Sequence, residues 1–153
     1  MNSQTIENLG KPSIKLEGLQ IWIHGRQFTD SADFWDGNWL NVTAHCGGQG
    51  ASVFASGPII HLSEIVRWKT EAEILQKTLT GKATLNCLEP NLSVSLRAMS
   101  LGHIQMEVSI TNDQLRQKHW FEFEIDQSYI PTLVGQCASI LENFSLRDVS
   151  NNG

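Results

Sequence analysis

Residues 92–98 read LSVSLRA, residues 104–110 read IQMEVSI, and residues 119–125 read HWFEFEI. Apolar and polar side chains alternate in all three segments, and a period of two places them on opposite faces of a strand. This pattern is typical of an antiparallel sheet with one buried face and one face in water. The three segments therefore predict antiparallel strands whose polar side chains point to solvent.

The flanking sequence adds strands and two helices. Strands are predicted at residues 13–17, 19–24, 38–46, 51–56 and 82–88. Apolar residues three and four positions apart predict a first helix through Ile65, Trp68, Ala72, Leu75 and Leu79, capped by His61 or Ser63. A second stripe consists of Ile130, Leu133, Val134, Cys137, Ile140, Leu141 and Phe144. The predicted fold class is α+β, with a mostly antiparallel sheet of seven or eight strands and two packed amphipathic helices.

The chain has 153 residues, which is enough for one domain with its own hydrophobic core. Both ends are polar, as loosely held termini often are. We predict a flexible N-terminal leader at residues 1–12, a single α+β domain at residues 13–146, and a flexible C-terminal tail at residues 147–153.

The net charge of −5 bears on the class of partner. Nucleic-acid binding needs clustered lysine and arginine, so we predict no nucleic-acid partner, whereas a negative surface suits a cationic protein. The sequence shows no signal peptide and no apolar run that could span a bilayer. Its three cysteines are widely spaced, which indicates reduced thiols. We expect a cytoplasmic protein that does not associate with membranes.

No motif in the sequence indicates a catalytic or metal site. The five histidines come from five separate segments without the spacing of a zinc site. Asp30, Asp33 and Asp36 do not match a calcium loop, and glycine-rich residues 47–50 lie between strands rather than before a phosphate-binding helix. No nucleophile with a neighbouring base can be inferred. We expect no catalytic residue, no metal and no cofactor, and therefore a protein that is not an enzyme.

Three tryptophans are candidates for partner binding. Trp22, Trp39 and Trp120 are each out of phase with the apolar row of their strand, and Trp120 shares its face with Glu122 and Glu124. If their strands are neighbours, they form an aromatic and acidic surface of the kind that dominates protein interfaces. The alternative is that the helices cover this face and the tryptophans belong to the core.

Two short motifs resemble those of a known family. Residues 36–40 read DGNWL, and residues 89–92 read EPNL after Leu85. In these motifs, and in the order of strands and helices over about residues 19–144, the chain resembles the WapI-like immunity proteins. These are small cytoplasmic bacterial proteins that neutralise toxin domains of contact-dependent competition systems. The resemblance implies non-enzymatic binding and transfers no catalytic residue, and Asn38 and Asn91 look like residues that fix turns.

The leading hypothesis is a small cytoplasmic immunity-type protein that neutralises a basic toxin domain by protein–protein interaction, as a monomer or weak dimer. The predicted contact residues are Trp22, Trp39, Trp120, Glu122 and Glu124. One alternative is a small-ligand or carbohydrate-binding module that stacks its ligand on the same tryptophans, which would need a concave apolar pocket. The other is a hydrolase with a site assembled from separate strands, which would need titratable groups converging in a cleft.

Overall fold

The computed structural model describes residues 3–148, with side chains from residue 6 onward. Its eight strands form two antiparallel sheets of four strands each. The first sheet contains β1 (Ile14–Leu16), β2 (Leu19–Arg26), β3 (Trp39–Gly48) and β4 (Ala51–His61), in that order. The second contains β5 (Lys82–Asn86), β6 (Leu92–Ala98), β7 (His103–Ile110) and β8 (His119–Asp126), also in chain order. The α+β prediction with mostly antiparallel strands is confirmed.

The division into two sheets follows from the helix between them. Helix α3 (Leu62–Thr78) begins directly after β4, so the chain leaves the first sheet before β5 begins. Within each sheet, consecutive strands pair with each other, although residues 27–38 separate β2 from β3. Alternation reveals which face each residue occupies, but it does not reveal which strands are neighbours.

Two long helices and three short helical segments complete the part of the chain from residue 3 to residue 148. Helix α4 (Tyr129–Asn143) follows β8. The short segments are α1 (Ser3–Leu9), α2 (Phe34–Gly37) and a 3₁₀ turn at Ser100–Gly102. No helix within residues 3–148 is long and apolar enough to cross a membrane.

His61, one of the two residues predicted as the cap, caps helix α3. Its Nδ1 accepts a hydrogen bond of 3.3 Å from the N–H of Ser63, while Glu64 accepts one of 2.8 Å from the N–H of His61. This reciprocal arrangement satisfies backbone donors that have no partner within the helix. The last turn ends at Leu79, which adopts a left-handed conformation (φ 52°).

The inner faces of the two sheets and the long helices enclose one continuous hydrophobic core. Helix α3 packs against β5 and α4, and α4 also contacts β1. Trp68, at the centre of α3, is fully buried. The alternating residues of β6 and β7 point into this core as predicted: Leu92, Val94, Leu96, Ile104, Met106, Val108 and Ile110. The outer side of the second sheet is left uncovered by the helices.

The described parts of the two termini make specific contacts. Residues 3–9, within the predicted leader, form helix α1, and the carbonyl of Gly10 accepts a hydrogen bond of 2.9 Å from the indole of Trp22. Arg147, within the predicted tail, donates its backbone N–H to Asn38 (2.8 Å). Residues 1–2 and 149–153, which complete the predicted leader and tail, lie outside the described residues.

Candidate interaction surface

The outer side of the second sheet carries a row of carboxylates, which we call the acidic face: Glu107, Glu122, Glu124 and Asp126. The face is built by β7 and β8, where alternation directs these side chains away from the core. Trp120 lies on the same side of β8 and is 57% exposed. Aromatic residues with this exposure are enriched at protein interfaces.

Two of these carboxylates lie directly across from each other. The strand register pairs Glu107 with Glu122, and like charges in such positions destabilise a sheet. Neither Glu107 nor Glu122 forms an ion pair with a described residue. Glu122 instead accepts a hydrogen bond from the amide of Gln105.

The remaining carboxylates of the face are held by their neighbours. His103 Nδ1 lies 3.0 Å from Glu124 Oε1, although the Glu124 side chain is still 73% exposed. Hydrogen bonds from the hydroxyl and the backbone N–H of Ser128 lower the pKa of Asp126, so this carboxylate stays charged at neutral pH. The acidic face therefore presents negative charge to solvent, together with an accessible indole.

Open grooves flank β8 on both sides of the acidic face. One has a volume of about 500 Å³ and is lined by Met99, Ser100, His103, Gln105, Glu122, Phe123 and Glu124. The other, of about 610 Å³, is lined by residues 17–18, 47–49 and 120–124. Both are open to solvent and lined by polar as well as apolar atoms, unlike the concave apolar pocket that the small-ligand alternative requires.

The five predicted contact residues do not lie on one surface. Trp22 and Trp39 belong to the first sheet and are only 3% and 7% exposed. Trp39 packs edge-on against the rings of Trp35 and His61. The second sheet brings Trp120, Glu122 and Glu124 together on one strand. The alternative that the tryptophans belong to the core thus describes the positions of Trp22 and Trp39, but not that of Trp120.

Two members of this surface, Asp126 and Glu107, are not among the predicted contact residues. Asp126 follows the last alternating residue of β8, so it was not included with Glu122 and Glu124. The pairing of Glu107 with Glu122 depends on the register between β7 and β8. Continuing the alternation by one residue would have identified Asp126, whereas the register required the structure.

The outer side of the first sheet holds a histidine–serine pair of the kind that the hydrolase alternative would need. His45 Nε2 lies 2.7 Å from the hydroxyl oxygen of Ser52, and burial lowers the pKa of His45. Its Nδ1 is buried and has no hydrogen-bond partner among the described residues. A serine activated by histidine normally also uses an acid that orients the imidazole. In residues 3–148 no three histidine, cysteine, aspartate or glutamate side chains form a group that could hold a metal.

The two asparagines of the short motifs fix connections between elements. Asn38 is fully buried, and its side-chain amide donates to the carbonyls of Phe34 and Arg147, both at 2.7 Å. Asn91 donates to the carbonyl of Thr111 at 2.9 Å, which ties the β5–β6 connection to the end of β7. Their positions agree with the expectation that these asparagines fix turns.

A family model described as "Immunity protein WapI-like family" matches residues 12–145, which is most of the chain. No curated protein matches the chain.

Proposed function

Because the chain belongs to the immunity protein WapI-like family, we propose that it is a cytoplasmic immunity protein that neutralises a cognate toxin domain by binding it. Members of this family are generally non-enzymatic, which favours a binding role over catalysis. We further propose that Trp120, Glu122 and Glu124 contact the toxin. Trp22 and Trp39 are too buried to join that contact surface.

The pairing of Glu107 with Glu122 is the observation that best supports the acidic face as the docking surface. Like charges directly across two strands cost about 0.2–1 kcal/mol relative to a neutral pair. A binding site often keeps such a local cost, because the residues that weaken folding are the ones that the partner needs. A cationic group of the toxin placed between these carboxylates would turn the repulsion into attraction.

The charge of the whole chain supports a basic partner. The net charge is −5, and a toxin with a basic substrate cleft presents the complementary potential. Complementary charges speed the encounter of two proteins, while a central aromatic residue slows their dissociation. Trp120, exposed beside the carboxylates, has the position of such an anchor.

The proposal is tested by the survival of toxin-producing cells that also make this protein, and by isothermal titration calorimetry with a toxin domain against which it protects. Replacing Glu122 with Gln should weaken binding about tenfold, because a desolvated charge pair is worth about 1.5 kcal/mol or more. The same variant should melt at a temperature equal to or higher than the wild type, since it removes the repulsion with Glu107. Trp120→Ala should also weaken binding while leaving the melting temperature nearly unchanged.

Glu142→Gln provides the matched control, because it removes the same charge from an exposed position on α4. It should leave toxin affinity and protection unchanged. If Glu122→Gln, Glu124→Gln and Trp120→Ala all bind the toxin like the wild type, the acidic face is not the docking surface.

A further inference from the structure

β8 is the last strand of the second sheet and has one unpaired side. The pattern of hydrogen bonds shows which backbone groups point to that side. Thr111 donates its N–H to Asn91 (3.0 Å), and Gln127 donates to Gly102 (3.0 Å). In an antiparallel pair, every second residue of a strand bonds to the neighbouring strand. Counting back from Gln127 in steps of two, Ile125, Phe123 and Phe121 therefore bond to β7.

It follows that the backbone N–H and C=O groups of Trp120, Glu122 and Glu124 point away from the sheet. In the described part of the chain, no backbone or side-chain group forms a hydrogen bond with them. Unpaired backbone groups in a row are a template for another extended chain. The residues proposed to contact the toxin by their side chains therefore also offer free backbone groups.

There is space beside this edge for another strand. The groove of about 610 Å³ runs along residues 120–124, and its opposite wall is formed by residues 17–18 and 47–49. This wall is rich in glycine, and the tip of the Phe123 ring reaches Gly18, where an added β-carbon would lie 2.6 Å from Phe123 Cζ. The wall thus presents mostly backbone to the groove.

The two faces of β8 define what kind of strand would fit. Its outer face carries Glu122 and Glu124, and its inner face carries Phe121 and Phe123, whose half-buried rings are parallel within 6° with centroids 6.3 Å apart. Side chains directly opposite on a neighbouring strand lie on the same face. A strand with basic residues at every second position and apolar residues between them would match both faces.

We propose that the free edge of β8 receives an extended segment of the toxin as a ninth strand, in which Lys or Arg alternates with apolar residues. This proposal rests on the proposed function and specifies how the partner binds at the same face. Main-chain hydrogen bonds supply affinity in this mode, and alternate side chains supply specificity. Pairing of β8 with a second copy of itself would bring Glu122 and Glu124 close to their own counterparts, so charge disfavours a homodimer there.

The direct test uses the whole protein and a seven-residue peptide, Lys-Val-Lys-Val-Lys-Val-Lys, with acetylated and amidated ends. We expect the peptide to slow hydrogen exchange at the amides of Trp120, Glu122 and Glu124 by about tenfold or more, because free amides become bonded. The amides of Phe121 and Phe123 are already bonded to β7 and serve as internal controls. Binding without protection of the outward amides would overturn the proposal, as would the absence of binding.

Two N-methylated peptides separate strand pairing from simple charge attraction. One is methylated at the backbone nitrogens of its internal lysines, the other at those of its valines, and both keep the charge of the parent. Only one set of amides can face β8, so one peptide should bind about tenfold more weakly than the parent while the other binds equally. Weaker binding of the lysine-methylated peptide indicates an antiparallel segment, in which the residues directly opposite Glu122 and Glu124 form the hydrogen bonds. Weaker binding of the valine-methylated peptide indicates a parallel segment, in which the flanking residues form them. Equal affinity of all three peptides, or equal loss in both methylated ones, would overturn strand pairing.

A variant of the protein carries the test to the toxin itself. Glu122→Pro removes the charge and also the outward N–H, without removing a bond to β7, as proline at an edge strand allows. It should bind the toxin about tenfold more weakly than Glu122→Gln, which removes the charge alone. If the two variants bind equally and both bind more weakly than the wild type, the acidic face docks the toxin without adding a strand. If both bind like the wild type, the proposed docking surface fails as well.

Discussion

At the scale of single residues, Asn38 shows how one buried amide can join three segments. Its oxygen accepts hydrogen bonds from the Arg147 N–H (2.8 Å) and from Arg26 (3.2 Å), and its nitrogen donates to Phe34 and Arg147. The end of β2, the start of β3 and the chain after α4 therefore meet at this side chain. The sequence alone predicted a local turn, because the partner 109 residues away is a long-range contact.

Replacing Asn38 with Ala should lower the free energy of unfolding by about 2–4 kcal/mol, because buried backbone donors and acceptors would lose their partner. Urea denaturation followed by tryptophan fluorescence measures the change. Asn143→Ala, at an exposed position at the end of α4, should change stability by less than about 0.5 kcal/mol. Equal stability of the two variants would contradict the structural role of Asn38.

The three cysteine thiols are buried and free. Burial raises the pKa of Cys46 and of Cys137 to about 12, and it also raises the pKa of Cys87. An unfolded thiol ionises with a pKa of about 8.5, so above that pH the unfolded chain binds fewer protons than the folded one. These thiols should therefore make the protein progressively less stable as the pH rises from about 8.5 to about 12.

A thiol-specific disulfide reagent should react slowly with the native protein at pH 8, because the attacking species is the thiolate. In denaturant, all three cysteines should react rapidly. Rapid reaction of one equivalent in the native state would show that one of these thiols is accessible and ionised.

At the scale of elements, the first turn of α3 depends on Glu64 as much as on its cap. One carboxylate oxygen accepts from the His61 N–H (2.8 Å), and the other accepts from the N–H of Leu88 (2.7 Å). The side chain thus completes the capping box and also anchors the connection between β5 and β6 to the helix. Its position near the helix N-terminus adds a favourable interaction with the helix dipole.

Glu64→Ala should destabilise the protein by about 1–2 kcal/mol, because both backbone donors lose their acceptor. Glu64→Gln should cost about half as much, since the amide has one oxygen that can accept. Thermal unfolding of both variants, with Glu73→Ala on the exposed side of α3 as the control, measures the difference. An alanine variant as stable as the control would contradict this role.

The strands and helices could largely be predicted, while their arrangement could not. Alternation in β6, β7 and β8 and the apolar stripe around Trp68 are local patterns that appear in the structure as expected, except that Leu79 follows the helix and is 42% exposed. The burial of Trp22 depends on Gly10, and that of Trp39 on Trp35 and His61, which are contacts between separate segments. For this reason the sequence predicted the exposed side of β8, but not that Trp22 and Trp39 are buried in the other sheet.

At the scale of the whole molecule, the residues that stabilise the fold and those proposed to bind a partner lie in different places. The core lies between the inner faces of the sheets and the two long helices, whereas the acidic face lies on the outer side of β7 and β8. Substitutions on that face change the surface charge without creating a cavity, so they can be tolerated by the fold. The toxin-binding variants proposed above should consequently remain folded, which makes their affinities directly comparable.

The structural roles of the buried Asn38 and the half-buried Asn91 also affect how relatives should be compared. The side chains of both asparagines in the short motifs form hydrogen bonds within the chain, where they hold segments of the fold together. Two relatives could therefore share both asparagines and still bind different partners. If β8 receives the toxin as proposed, relatives should be grouped by the sequence of this edge strand rather than by the two short motifs.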